Sequence, residues 1–156
     1  MMEPIALDPG RRGVVAVVRR GPQFLVIRRS RRVVAPLAYC FPGGGIEPGE
    51  SEPEAVVREV HEELRMNIRP SHCVWRSVTP WQVDLAWWLC DTADSSFADG
   101  PASIDPNPDE VQSVHWLTRE QMSALPDLLE SNRAFLTALS RGEIDLKSST
   151  DAGERG

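Results

Sequence analysis

Apolar residues along this chain fall into short runs separated by turn-forming residues. Val14 to Val18 and Phe24 to Ile27 are two such runs, divided by Arg19-Arg20-Gly21-Pro22. Short β-rich runs on either side of Gly-Pro predict strand, turn, strand. A segment ending Tyr39-Cys40-Phe41 then leads into Pro42-Gly43-Gly44-Gly45. Three consecutive glycines offer no side chains to pack and lose much backbone freedom on ordering, so a loop with unusual backbone angles is expected here. Asn67 to Thr79 and Trp81 to Cys90 are rich in β-branched and aromatic residues and predict two further strands, with a last one at Val111 to Leu117. Between them, Asp91 to Pro108 reads as a polar loop.

The pattern changes at Ser51-Glu52-Pro53-Glu54. Ser51 can cap the amide of Glu54 while Glu54 reaches back to the amide of Ser51, and Pro53 falls where no helical N–H is needed. A helix is therefore expected from about Glu52 to Leu64, with Val56, Val57, Val60 and Leu64 as its apolar stripe. Arg119 to Leu125 and Asp127 to Ser140 are also expected to be helical. No repeat or linker divides the chain. One domain is expected over residues 1–156, with 1–12 and 146–156 as flexible ends.

Composition narrows the picture. Hydrophobic residues make up 41% and charged residues 26% of the 156, ordinary for a soluble globular protein and incompatible with overall disorder. A formal net charge of −6 argues against a phosphate-tracking surface, so no extended nucleic acid is expected as a partner. A small anionic substrate remains compatible, because a local basic patch and a metal can hold it. Cys40, Cys73 and Cys90 lack C-x-x-C spacing and are odd in number, which points to free buried thiols rather than zinc or a disulfide framework. Neither a leader-like apolar region at the N-terminus nor a stretch near the ~20 apolar residues of a membrane span is seen. A cytoplasmic protein is expected, as a monomer or homodimer and without a membrane partner.

The candidate chemistry lies on the first helix. Glu59, Glu62 and Glu63 are related by i+3 and i+4 and share a face. Like charges at that spacing weaken a helix by roughly 0.2–0.5 kcal/mol per pair, and a cation reverses the sign. Mg²⁺ takes oxygen ligands and shares them with substrate phosphates, so a few carboxylates on one face suit it. Arg58, four residues before Glu62, can pair with it and orient it. A solvated acidic face is the plainer alternative for such a run.

The surrounding residues favour the metal. From Gly44 the chain reads G-x5-E-x7-R-E-V-x-E-E, with Glu50, Arg58, Glu59, Val60, Glu62 and Glu63 in place. This pattern, Gly44 to Met66 and introduced by Phe41-Pro42-Gly43, resembles the Nudix box of the MutT-like Nudix hydrolases. The resemblance implies an α/β fold, an α/β/α sandwich with a mixed central sheet. It also implies metal ligation by Glu59, Glu62, Glu63 and the carbonyl of Gly43. An acidic residue roughly six ahead of a tryptophan commonly joins them; Glu110 stands in that relation to Trp116, with Asp109 as the alternative. The implied activity is Mg²⁺-dependent hydrolysis of a pyrophosphate bond, with Mn²⁺ as a substitute ion. The implied substrate is a small nucleotide-type molecule, either a nucleoside triphosphate or a nucleoside diphosphate linked to another moiety. Glu59, Arg58 and Glu62 form the implied catalytic set, Glu59 taking the water's proton and Arg58 holding the glutamates.

Two substrate contacts follow from the same resemblance. Arg29 ends the second strand, where MutT-like members place an arginine that reaches phosphate; a solvated strand-end arginine is the alternative. Asn132 lies, after a one-residue shift, near a purine-reading asparagine; a cap or surface residue is the alternative. Trp87 and Trp88 should face opposite sides of their strand, one packing in the core and the other free to pack or to stack on a base. His61, His72 and His115 show no mutual metal spacing. One residue departs from the family pattern: Arg65 stands where a glycine usually supplies the left-handed helix stop. The expectation is a slightly later stop, with Asn67 as the left-handed residue. The competing functional reading is a catalytically silent Nudix-like domain that binds a nucleotide or a protein.

Overall fold

The structure, a computed structural model, describes residues 11–92 and 104–147. Its strands are β1 (Arg12–Arg20), β2 (Gln23–Arg29), β3 (Tyr39–Cys40), β4 (Gly43–Gly45), β5 (Ile68–Val78), β6 (Asp84–Thr92) and β7 (Val111–Thr118). Its helices are α1 (Glu52–Leu64), α2 (Arg119–Ser123) and α3 (Glu130–Ser140). The strands form a mixed sheet in the order β3-β2-β1-β6-β5, with β4 added to β1 and β7 to β2. β1 and β6 run parallel, from Arg12 beside Asp84 to Val18 beside Cys90. The other strand pairs are antiparallel.

Parallel pairing in mid-sheet buries β1 on both faces, which accounts for its uninterrupted apolar run. Alternation along the strand then divides the core. Val14, Ala16 and Val18 pack with Ala55, Val56, Val60 and Leu64 of α1. Val15 and Val17 pack on the other face with Met122 of α2 and with Phe135 and Leu136 of α3. The result is the α/β/α sandwich expected. Trp87 belongs wholly to the second core and stacks on Phe135, ring centroids 4.8 Å apart, an arrangement that adds about 0.5–1.5 kcal/mol beyond area burial. Trp88 faces the other layer and donates from Nε1 to Glu52 Oε1 at 2.9 Å.

Several boundaries differ from expectation, each because a backbone partner wins over local propensity. Gly43–Gly45 is not a loop: it pairs antiparallel with Gly13–Val15, and none of its glycines has a positive φ. Glycine is required there for space. A Cβ on Gly43 would collide with the Val14 carbonyl oxygen, and one on Gly44 with the Glu59 carboxylate. β6 starts at Asp84, so Trp81 lies not in a strand but in an exposed turn, where Thr79 Oγ1 accepts from the amides of Trp81 and Val83. Asp127 to Leu129 is not helical, because Tyr39 pairs with it: Tyr39 N donates to Asp127 O, and Leu129 N to Tyr39 O. α2 stops before Pro126, in keeping with the bar on helix ahead of proline.

Helix α1 begins as its sequence implies, with both bonds of the Ser51–Glu54 capping box present. Val57, by contrast, is 38% exposed; the buried arc takes Val56, Val60 and Leu64 and leaves Val57 outside it. The helix stop also differs. Arg65 itself is left-handed, φ 57° and ψ 25°, and Asn67 is not among the residues with positive φ. A later stop would need the carbonyls of Glu63 and Leu64 for the amides of Asn67 and Ile68. Those carbonyls instead accept from Asn107 N at 2.8 Å and Asp105 N at 2.9 Å.

Cys40 and Cys90 are buried and Cys73 half-buried, all as free thiols. Burial pushes the Cys40 thiol up to about 11 and the Cys90 thiol to about 12, so neither is a ready thiolate. Among the described residues no helix is long and apolar enough to cross a membrane. Most of both expected flexible ends, and much of the loop expected over Asp91 to Pro108, lie outside the described residues.

Candidate functional site

The site is built where α1 lies against the glycine strand. Glu59 and Glu63, one turn apart, both fall on the sheet-facing side of the helix, beside Ala55, Val56 and Val60. Gly44 leaves room for the Glu59 carboxylate, and Gly43 N donates to Glu63 Oε1 at 3.1 Å. Gly43 turns its amide toward the helix, and Gly45, two residues on, turns its carbonyl the same way to Arg58. Alternation along an extended strand therefore sets the Gly43 carbonyl on that helix-facing edge as well. Glu110 arrives from the turn before β7. One carboxylate oxygen from each of Glu59, Glu63 and Glu110 lies within 4.8 Å of the others. Asp109 is drawn away instead, paired with Arg32 at 3.1 Å on the surface.

Glu62 does not join that trio. It lies about 100° round the helix from Glu63, its side chain is 48% exposed, and its Oε1 is 3.3 Å from Arg58 Nη1. Arg58 is the hub of the helix's outer side. It donates to both oxygens of Glu50, at 2.7 and 2.9 Å, to Glu59 Oε2 at 3.1 Å and to Gly45 O at 2.8 Å. The Glu50 fork and the Gly45 contact go beyond the Arg58–Glu62 pairing that sequence spacing predicts. Glu50 was visible as a box position, but its partner depends on the Glu47–Glu50 turn bringing it back over the helix. The hydrogen bonds from Arg58 and from the Glu47 amide hold the Glu50 carboxyl down at about 2.

The trio has the opposite electrostatics. Burial pushes Glu59 up to about 7; Arg58 opposes this, while the charges of Glu62 and Glu110 add to it. Burial, with the Glu59 charge, raises Glu63 well above the usual carboxylate range, against the pull of the Gly43 amide. Three convergent carboxylates, two of them costly to ionise as they stand, form an all-oxygen donor set that a hard divalent cation would satisfy. The donor set therefore fits Mg²⁺ or Mn²⁺. The three histidines contribute nothing to it.

A cleft of ≈ 260 Å³ is lined by Gly43 to Gly45 together with Val15, Phe41 and Leu85; none of the three carboxylates lines it, and Gly44, which packs on Glu59, is the link between cleft and trio. Arg29 and Asn132 both line it. The Arg29 Nε donates to Val34 O at 2.7 Å, and its charge draws Glu63 downward. Asn132 is 97% buried by its 3% exposure, and its Oδ1 accepts from Phe41 N at 2.9 Å. That oxygen is therefore engaged in tying α3 to the strand that leads into the glycines.

Comparison with known proteins identifies the family and the fold. The profile described as the NUDIX domain matches residues 9–139. The chain is 31% identical over 113 residues to the NAD-capped RNA hydrolase NudC of Stutzerimonas stutzeri (strain A1501), covering 72% of this chain and 38% of that protein. It is 30% identical over 137 residues to the nucleoside triphosphatase NudI of Enterobacter sp. (strain 638), covering 78% of this chain and 89% of that one. Among solved structures, a MutT protein from Methanosarcina mazei Go1 shares the fold with a TM-score of 0.69 at 23% identity, covering 87% and 96% of the two chains. The chain belongs to the Nudix hydrolase family. It spans well under half the length of the NudC relatives.

Proposed function

We propose that the protein hydrolyses a pyrophosphate bond in a nucleoside triphosphate, or in a nucleoside diphosphate linked to another moiety, with Mg²⁺ or Mn²⁺ held at Glu59, Glu63 and Glu110. The convergence of these three carboxylates beneath the glycine strand carries this reading. A bound divalent cation supplies positive charge to the phosphate oxygens and acidifies a water. Phosphoryl-transfer catalysis otherwise rests on positioning and charge stabilisation, and the remaining work falls to the chain. Glu59 is assigned the water's proton, since its carboxylate packs against Gly44, a residue that lines the cleft. Glu62, at the rim, is available as a further carboxylate. The Gly43 carbonyl is assigned as a neutral ligand.

Arg58 bridges Glu50 and Glu59 and fixes both, so its own role is orientation rather than contact with substrate. Arg29 is assigned to the substrate phosphates from the cleft wall, and Asn132 to the shape of that wall. An NAD cap also contains a pyrophosphate, and the relatives named for NAD-capped RNA make that ligand class one arm of the test. The experiment is a product screen over nucleoside triphosphates, nucleotide-sugars, dinucleotides and NAD-type ends, each with Mg²⁺ and with chelator. Cation-dependent cleavage at a pyrophosphate bond is expected. Tight binding without turnover across the whole panel would support the silent-domain reading instead.

A further inference from the structure

The third carboxylate of the trio comes from outside the family box, and something must aim it. The Glu110 backbone is anchored from β2. Ser30, 3% exposed, donates from Oγ to Asp109 O at 2.8 Å, and its amide donates to Glu110 O at 3.0 Å. These bonds fix the main chain but leave the side-chain direction of Glu110 open.

We propose that Asn107 is a positioning residue that turns the Glu110 carboxylate toward Glu59 and Glu63, an inference that rests on the metal-site reading above. Its Nδ2 donates to Glu110 Oε2 at 3.0 Å, and its Oδ1 accepts from Asp109 N at 3.1 Å. Its main chain is committed as well: Asn107 N donates to Glu63 O at 2.8 Å, and Asn107 O accepts from the amides of Glu110 and Val111. One residue thus grips the backbone of one trio member and the side chain of another. A carboxylate oxygen fixed by an amide donor presents its other oxygen in a defined direction, and loss of such an outer partner typically weakens metal binding 10–100-fold. The side-chain bond to Asp109 N closes a tight local turn that a serine hydroxyl can also close, though more weakly. Serine is too short to reach Glu110, so the two jobs of the side chain can be separated.

The test is titration of the full-length protein with Mn²⁺ alone, without substrate. Asn107→Ala and Asn107→Ser are each made in the wild-type and in the Glu110→Gln background. Both are expected to weaken Mn²⁺ binding by about tenfold or more in the wild-type background and to have no further effect once Glu110 is Gln. Asn107→Ser, which keeps the turn, should melt close to wild type in chelator, so its loss of Mn²⁺ binding is not a loss of fold. The proposal is overturned if both variants bind Mn²⁺ like wild type, or if they weaken it equally in both backgrounds, which would mark a general role at the helix end. If Glu63→Gln and Glu110→Gln themselves leave Mn²⁺ binding intact, the metal reading fails, and the proposal with it. Weakening by those two substitutions with silent Asn107 variants overturns the positioning role alone.

Discussion

Replacing Arg65 with glycine should make the protein more stable. Arg65 ends α1 in the left-handed region, where an L side chain costs roughly 1–2 kcal/mol that glycine escapes. Against this, glycine gives the unfolded chain more freedom, worth about 0.4–1 kcal/mol. The bond from Arg65 N to His61 O at 2.8 Å belongs to the backbone and survives the change. The Arg65 side chain is exposed; its remaining contribution is attraction to the negative helix end, which salt screens. At moderate ionic strength the net gain should be about 0.5–1 kcal/mol, or roughly 1–4 °C in melting temperature for a chain of this size. Thermal unfolding followed by circular dichroism, with Arg65→Ala as control, reads this out. Alanine keeps the left-handed penalty and should bring no gain. A lower melting temperature for Arg65→Gly, or an equal rise for Arg65→Ala, would show that the left-handed backbone is not where the strain resides.

The glycine strand should show a graded response to alanine. Gly45→Ala meets open space and should be tolerated, Gly44→Ala should displace Glu59 and lower turnover about 10–100-fold with little loss of fold, and Gly43→Ala should lower the melting temperature by collision with β1. Turnover and melting curves on the three variants separate these effects; equal behaviour of Gly44→Ala and Gly45→Ala would refute the close packing on Glu59. Mg²⁺ should raise the melting temperature of the wild type through preferential binding to the folded state, and chelator should reverse it. Glu63→Gln should remove that response, so a full Mg²⁺ shift in this variant would place the ion elsewhere. Glu52 is held down at about 2 by the Arg76 hydrogen bond, with Trp88 and Arg12 assisting against burial. Because its folded pKa lies below the unfolded value, its stabilisation is complete above about pH 4.5 and is lost as pH falls through about 2. The melting gap between wild type and Glu52→Gln should thus be largest near pH 6 and close toward pH 2; a gap that does not change with pH would contradict the ion-pair origin.

The layers and most elements were legible because they rest on local patterns. The Ser51–Glu54 box, the β1–turn–β2 unit and the opposed faces of Trp87 and Trp88 follow from local residue pattern, side-chain period and capping chemistry alone. The misjudged features depend on partners distant in sequence. Gly43–Gly45 becomes a strand because β1 is there to pair with it. Arg65 becomes the helix stop because Asp105 and Asn107 take the carbonyls a longer helix would use. In the candidate site, Glu59, Glu63 and Glu110 could be picked out by spacing and family pattern. That Glu62 lies apart from them could not, since i+3 and i+4 spacing alone does not say where the sheet cuts the helix circumference. Asn107 carries no signature beyond its place in a turn, and only the folded loop reveals its two side-chain bonds.

The parallel pairing of β1 with β6 has a consequence for how the protein is made. β1 leaves the ribosome before β6, its neighbour from Arg12 to Val18, which follows only after α1 and β5. Contacts so far apart in sequence form slowly, because a long loop must close before they reward the chain. During synthesis the glutamate helix is therefore complete before β6, which adds Ala86 and Cys90 to the core beneath it, has been made. Glu110 emerges later again, just ahead of β7. A chain interrupted before that point would carry Glu59 and Glu63 without the third carboxylate, so the acidic trio can assemble only after the chain has been made as far as the start of β7.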